Sequence, residues 1–381
     1  MAPTLPADSV GIVTPKLARF EEPFRFANGG ILEGHELVYE TYGELNAAAD
    51  NAVLICHALS GTHHAAGFHA AADKRPGWWD MAIGPGKPID TERLFVVCSN
   101  NLGCCDGSTG PNTMQPGTDK PWGGLFPQPQ VRDWVRSQKQ LAEHLGIARW
   151  AAVIGGSLGG MQALQWAVDF PDWVEHCVAL AAAPGLTAQN IAFNEIARHA
   201  ILSDPDWRDG DYLAHGTVPA RGVALARMVG HLTYMSADGM SDRFGRELRE
   251  GSFAPESNNE WVFQVESYLR HQGTRFSTQF DANTYVLMTR ALDLFDLAQD
   301  HGGDLVAALS RSQASFLVVS FSSDWRFPPH RSLEIRDALL AAEKPVTYAN
   351  IETDDGHDGF LLPNKTYEQL LKEWMRRVGP S

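Results

Sequence analysis

The sequence predicts an α/β fold: a mostly parallel sheet flanked by helices, with an inserted helical lid domain. Three observations predict it. Continuous apolar runs such as "NAVLICHAL" (51–59), "RLFVVCSNNLG" (93–103) and "VEHCVALAAAP" (174–184) read as strands buried on both faces of a sheet. Helical patterns alternate with them, as parallel strands joined by crossover helices require. From residue 186 to 311 the strand signals stop and helical periodicity takes over. The expected division is therefore a core domain over 1–185 and 312–381 and a helical lid over 186–311.

In chain order, the first part reads as strands and turns, and "ELVYETYGEL" (36–45) is rich in β formers. The two runs at 51–59 and 93–103 follow as central strands. "VRDWVRSQKQLAEHLGI" (131–147) spaces Val131, Trp134, Val135, Leu141 and Leu145 as one face of a helix. "WAAVIGGS" (150–157) is a strand, "GGMQALQWAVDFP" (159–171) a helix, and 174–184 the next strand. The insertion offers four helices, at 188–202, 218–232, 261–276 and 282–295. A buried strand returns at "ASFLVVSFSSDWRF" (314–327), followed by a helix at 332–343, a last strand at 345–352 and a closing helix at 366–378.

Composition excludes several classes. With 31 Lys and Arg against 46 Asp and Glu, the net charge of −15 repels polyanions, so nucleic acid is not an expected partner. No apolar run reaches the roughly 20 residues of a membrane helix. "MAPTLPADSVGIVTPKLARF" has no basic stretch followed by an apolar one, so no secretory signal is expected and the expected location is cytoplasmic. Cys56, Cys98, Cys104, Cys105 and Cys177 are odd in number and lack CxxC spacing, which fits free thiols better than disulfides or zinc.

Chemistry concentrates around Ser157. Gly155-Gly156-Ser157-Leu158-Gly159 fits G-x-S-x-G between a strand and a helix, a sharp turn that holds a serine hydroxyl out at the top of a sheet. The flanking glycines keep side chains out of the crowded turn. A nucleophilic serine needs a base and an orienting acid, in the chain order serine, acid, histidine on this kind of sheet. Asp324 after the strand at 314–327 and His357 in the loop after the last strand meet that order. The N–H of Leu158, opening a helix, and that of Leu59, in the loop after the strand at 51–59, are the expected oxyanion donors. His57, His63, His64 and His69 crowd that loop without acidic or cysteine company, so packing and loop polarity explain them better than a metal; no metal and no cofactor is expected. "NNLGCCDGSTGP" (100–111) lacks the ending of a phosphate loop and reads as a rigid wall.

These motifs, together with "GWWDMAIGPGKPIDT" (77–91), "AQNIAFNE" (188–195), "RMVGHLTY" (227–234), "FDANTYVLM" (280–288), "DWRFPP" (324–329) and "DGHDGFLLP" (355–363), resemble the homoserine O-acyltransferases of the α/β-hydrolase superfamily. The resemblance spans nearly the whole chain. It implies a triad of Ser157, Asp324 and His357, substrate binding by Arg227 and Asp358, and Tyr234 in the same pocket. It also implies a homodimer through the helical insertion, and acyl transfer from coenzyme A through Ser157 to the hydroxyl of L-homoserine in methionine biosynthesis. The "GCC" at Gly103–Cys105 departs from a more usual "GGC". The residues themselves support an amino-acid acceptor, because an arginine suits its carboxylate and an aspartate its ammonium. Arg326, two residues from Asp324, suits the distal carboxylate of a succinyl group better than a neutral acetyl. Members of the family that look like succinyltransferases also carry arginine there. Succinyl-CoA is the expected co-substrate, with acetyl-CoA as the alternative; a serine O-acyltransferase and a plain esterase are the remaining readings.

Overall fold

The computed structural model describes residues 5–250, 257 and 260–379. Eight strands form the central sheet: β1 (Lys16–Phe20), β2 (His35–Tyr42), β3 (Ala52–Cys56), β4 (Phe95–Ser99), β5 (Trp150–Gly156), β6 (Val174–Leu180), β7 (Ser315–Phe321) and β8 (Val346–Ile351). Their order across the sheet is β1-β2-β4-β3-β5-β6-β7-β8. β1 and β2 run antiparallel at one edge; every pair from β4 to β8 is parallel.

β3 and β5 are buried along their whole length, which is why they read as continuous apolar runs. Successive side chains leave opposite faces, so the sheet separates two cores. Val153 joins one with helices α1 (Val131–His144), α2 (Leu158–Asp169) and α9 (Pro329–Ala341). Ala152 and Ile154 join the other, closed by Trp79 and by Leu371 and Trp374 of α10 (Lys365–Met375). α9 begins three residues before the sequence suggests, because Pro329 fits the first helical position, where no N–H is needed.

Between β6 and β7 lie α3 (Ala188–Leu202), α4 (Ala220–Tyr234), α5 (Ala237–Phe244), α6 (Gln264–Ser277), α7 (Ala282–Asp293) and α8 (Leu305–Ser310). α3 packs on α4 and α7, and α4 on α6; α8 packs instead on α9 and α2. The short α5 and α8 carry too little periodicity to stand out in the sequence. Their caps are legible afterwards: Ser236 Oγ accepts the N–H of Gly239, and Asp304 Oδ1 those of Val306 and Ala307. α6 starts at Gln264 rather than 261 because the Glu266 carboxylate accepts the N–H groups of Val262 and Phe263 and fixes the cap there.

Candidate active site

Ser157 is the single residue between β5 and α2, with φ 56° and ψ −122°. A side chain in this region costs on the order of 1–3 kcal/mol, and the surroundings enforce it. Its N–H donates to the Leu180 carbonyl (2.9 Å) and its own carbonyl accepts from Met161 (3.1 Å). The glycines are steric necessities. A Cβ on Gly159 would lie 2.0 Å from the Cys56 carbonyl oxygen, one on Gly155 2.2 Å from the Gly159 carbonyl carbon, and one on Gly156 2.3 Å from the Phe360 ring.

The sequence-predicted acid and base meet this serine. His357 Nε2 lies 2.8 Å from Ser157 Oγ, and His357 Nδ1 lies 2.7 Å from Asp324 Oδ2. A carboxylate only accepts, so Nδ1 carries the proton and Nε2 presents its lone pair to the serine. Asp324 Oδ1 accepts the backbone N–H groups of Arg326 and Phe327, both at 2.9 Å, which fixes the acid at the end of β7. Phe327 and Phe360 pack edge-on to the imidazole, and all three polar groups are buried. The chain can therefore remove a proton from Ser157 and hold the resulting imidazolium.

Leu158 follows Ser157 directly at the start of α2, and Leu59 lies in the loop after β3, whose first residues pack against Gly159. Among the described residues no hydrogen bond takes up either backbone N–H. The loop of Leu59 is braced from behind by His57, whose Nδ1–H donates to the Ala58 carbonyl (2.8 Å) while Nε2 accepts from Asn101 N–H (3.1 Å). Burial pushes this imidazole down to about 4, so it stays neutral and serves both bonds. The His57 carbonyl accepts from Gln162, whose Oε1 accepts from Gln138, which also donates to Asn101 Oδ1. Within the 100–111 loop, Ser108 donates to the Asn100 carbonyl and accepts from the Val38 N–H.

Arg227, Asp358 and Tyr234 gather on the open side of His357. The Tyr234 ring lies 6.0 Å from the His357 ring, and the Arg227 guanidinium carbon lies 5.8 Å from Tyr234 and 4.6 Å from Phe276. Neither Arg227 nor Asp358 has a side-chain hydrogen bond or ion pair among the described residues, although each feels the other's charge. Burial raises the Asp358 carboxyl above its ordinary value, with the charges of His357 and Arg227 opposing. Two opposite charges left apart can receive a zwitterion between them.

Arg326 is buried, at 6% exposure. Its two terminal nitrogens donate to neutral oxygens, Thr233 Oγ1 (2.9 Å) and Asn194 Oδ1 (3.2 Å), and no carboxylate lies within 4.0 Å among the described residues. Sequence reasoning missed these partners. Asn190 and Asn194 share one face of α3, and Asn190 donates to the Arg326 carbonyl at 2.8 Å. Asn194 in turn donates to Asp293 of α7 (2.7 Å). Their four-residue spacing in "AQNIAFNE" was the available signal. The end of α4 also clamps the triad loops: Trp325 Nε1 donates to the Met235 carbonyl (2.9 Å), and a Cβ on Gly356 would lie 2.3 Å from the Tyr234 carbonyl.

A cavity of about 890 Å³ opens beside the oxyanion loop, lined by Ser60, Thr62, Arg75, Arg227, Arg275 and Phe280. The histidines of that loop do have acidic company. Glu40, from β2, lies beside His63, His64 and His69, where a local sequence window cannot see it.

Sheet order, the serine between β5 and α2, and the acid and base after β7 and β8 define a member of the α/β-hydrolase fold. The family described as "alpha/beta hydrolase fold" matches residues 51–362. The homoserine O-succinyltransferase of Saccharophagus degradans is 58% identical over 379 residues, covering 99% of this chain and 100% of its own. Among solved structures, homoserine O-acetyltransferase from Bacillus anthracis matches with a TM-score of 0.89 at 31% identity, over 97% of this chain and 99% of that one. Esterase E22 matches with a TM-score of 0.88 at 29% identity, over 96% and 100%. The chain belongs to the homoserine O-succinyltransferase family of acyltransferases within the α/β-hydrolase fold.

Proposed function

We propose that this chain transfers the succinyl group of succinyl-CoA to the hydroxyl of L-homoserine in two steps through a Ser157 acyl-enzyme. Ser157 Oγ gives its proton to His357 Nε2 and attacks the thioester carbonyl carbon. The N–H groups of Leu59 and Leu158 receive the oxyanion. As the intermediate collapses, the C–S bond breaks and His357 returns the proton to the departing thiolate. In the second step the homoserine hydroxyl gives its proton to His357 and attacks the serine ester, and Ser157 recovers the proton as the product ester leaves. Asp324 holds the imidazole in the required tautomer throughout.

The observation that carries the succinyl reading is Arg326, a buried guanidinium without a carboxylate partner beside an assembled serine–histidine–aspartate chain. An acetyl donor would leave that cation unmatched. Arg227 and Asp358 hold the acceptor's carboxylate and ammonium, with Tyr234 between the two arginines. Arg75 and Arg275 at the cavity mouth suit the phosphates of coenzyme A. The helical segment 186–311 acts as a lid that keeps water from the acyl-enzyme, and exposed Ile196, Leu225 and Leu232 on α3 and α4 favour a homodimer through it. No cofactor takes part, and the reaction belongs to methionine biosynthesis in the cytoplasm. No helix among the described residues is long and apolar enough to cross a membrane.

The test is direct. Incubation with succinyl-CoA and no homoserine should add one succinyl group to the peptide holding Ser157, seen by mass spectrometry, and homoserine should remove it. Ser157→Ala should carry no adduct and lose on the order of 10⁶ in kcat with its fold intact. Near-normal turnover of that variant would refute the covalent route.

A further inference from the structure

Glu40 is fully buried, and its carboxylate faces three histidines of the loop after β3. His69 Nε2 lies 2.6 Å from Oε1, His64 Nδ1 3.0 Å from Oε2, and His63 Nε2 3.8 Å from Oε1. The Tyr42 hydroxyl donates to Oε2 (2.7 Å) and accepts the N–H groups of Ala65 and Ala66, so the carboxylate and the loop are locked together.

His63 is the member that ion pairing does not explain. It is only 8% exposed, yet neither ring nitrogen has a hydrogen-bond partner. Hydrogen bonds to the Glu40 carboxylate account for His64 and His69 and leave this imidazole without a partner, a costly state for a buried polar group. An imidazole with no hydrogen-bond partner has a ring lone pair to offer a metal ion. One donor atom each from Glu40, His63 and His69 lies within 4.8 Å of the others. Tetrahedral zinc, with bonds of about 2.0–2.2 Å, holds its donors roughly 3.4 Å apart. The separations of 2.6 Å and 3.8 Å from Glu40 Oε1 straddle that value, and rotation of the partly exposed His69 side chain would lengthen the shorter one.

We propose that Glu40, His63 and His69 bind a divalent transition-metal ion of the zinc class, with His64 steadying the carboxylate from its other oxygen. Two imidazoles and one carboxylate suit zinc, cobalt or nickel and not the all-oxygen shells of magnesium or calcium. The ion ties β2 to the loop that continues from His57 and Leu59. It shares no ligand with Ser157, Asp324 or His357, so its effect is on the stability of the loop and not on the chemical step.

The experiment is calorimetric titration of the chelator-treated full chain with Zn²⁺, paired with thermal melts. Wild type should take up one ion per chain, and its melting midpoint should rise as Zn²⁺ increases, because the ion binds the folded state. Co²⁺ in its place should give the visible absorption of a tetrahedral site. His69→Ala, at a partly exposed position the fold tolerates, should lose both the ion and the shift; His64→Ala should weaken binding about tenfold. Glu40→Gln should also lose the ion. The proposal fails if wild type shows no saturable uptake, or if uptake survives unchanged in both His69→Ala and Glu40→Gln.

Discussion

The guanidinium carbon of Arg326 lies 5.4 Å from the centre of the Tyr234 ring, and the same ring lies 6.0 Å from that of His357. A buried charge is thus held against an aromatic face, one ring away from the His357 imidazole. Its other partners, Thr233 and Asn194, are neutral. Taking a cation out of water costs several kcal/mol unless a counter-charge arrives, and among the described residues no carboxylate lies within 4.0 Å of this one, although Asp358 feels its charge from farther off.

From this, Arg326→Leu should lower kcat/KM for succinyl-CoA about tenfold to a hundredfold, the equivalent of roughly 1.5–3 kcal/mol for a charge-assisted bond. Activity with acetyl-CoA should fall much less. Arg326→Lys keeps the charge and loses the fork, and should lie between. The measurement is kcat/KM for both esters at saturating homoserine. Equal losses for both would reduce Arg326 to a support for the lid.

With Asp358 proposed to hold the acceptor's ammonium, acceptor binding should depend on pH. The Asp358 carboxyl is raised by burial, so it takes up a proton at a higher pH than an ordinary carboxylate and then no longer holds an ammonium. The KM for homoserine should rise as the medium is acidified, beginning at a higher pH than an ordinary carboxylate would set. Asp358→Asn should flatten that dependence and raise the KM about tenfold to a hundredfold. Arg227→Ala should raise it similarly without preventing acylation. A KM for homoserine that is independent of pH in wild type would count against this assignment, as would an Asp358→Asn variant that cannot be acylated.

Gly159 is the sharpest packing constraint. Its absent side chain makes room for the Cys56 carbonyl, the residue before His57. Gly159→Ala should push that loop away from α2, lower the melting midpoint by the equivalent of about 1–3 kcal/mol, and cost activity beyond the loss in stability. A variant with wild-type melting and rate would show that the turn has slack.

The sequence made the core legible where a signal is local. Buried strands announce themselves as apolar runs, and Ser157, Asp324 and His357 each sit at a strand end, so order along the chain was enough to group them. Arg326 was legible by its closeness to Asp324. Its neutral partners were not, because Asn194 and Thr233 come from helices whose packing no short window encodes. Glu40 was hidden for the same reason. It sits in a half-apolar strand and meets its histidines only because β2 is a sheet neighbour of β4, which in turn lies beside β3. Short helices such as α8 escaped because one or two turns give too little periodicity.

The last prediction concerns acid stability and His57. Its Nδ1–H donates to the Ala58 carbonyl and its Nε2 accepts from Asn101, so a second ring proton has no acceptor and would displace the Asn101 bond. Burial, with a smaller push from His63 and against the Ala58 bond, holds the folded-state value at about 4 against an ordinary 6.5. Between those two values the unfolded chain binds a proton that the folded chain refuses. Stability is therefore full above pH 6.5 or so and is lost as the pH falls toward about 4, by up to about 3 kcal/mol for this residue. His35, His63 and His231, also pushed to about 4 chiefly by burial, add to the same slope. His57→Gln isolates one contribution, since glutamine can accept from Asn101 and does not titrate. At neutral pH the variant should be the less stable, through lost packing. The gap to wild type, read from urea midpoints, should close by about 2 kcal/mol as the pH is lowered from about 7 to about 4.5. A gap that stays constant with pH would mean that His57 is protonated as readily in the folded chain as in water, and the oxyanion loop would then be braced by something other than a neutral imidazole.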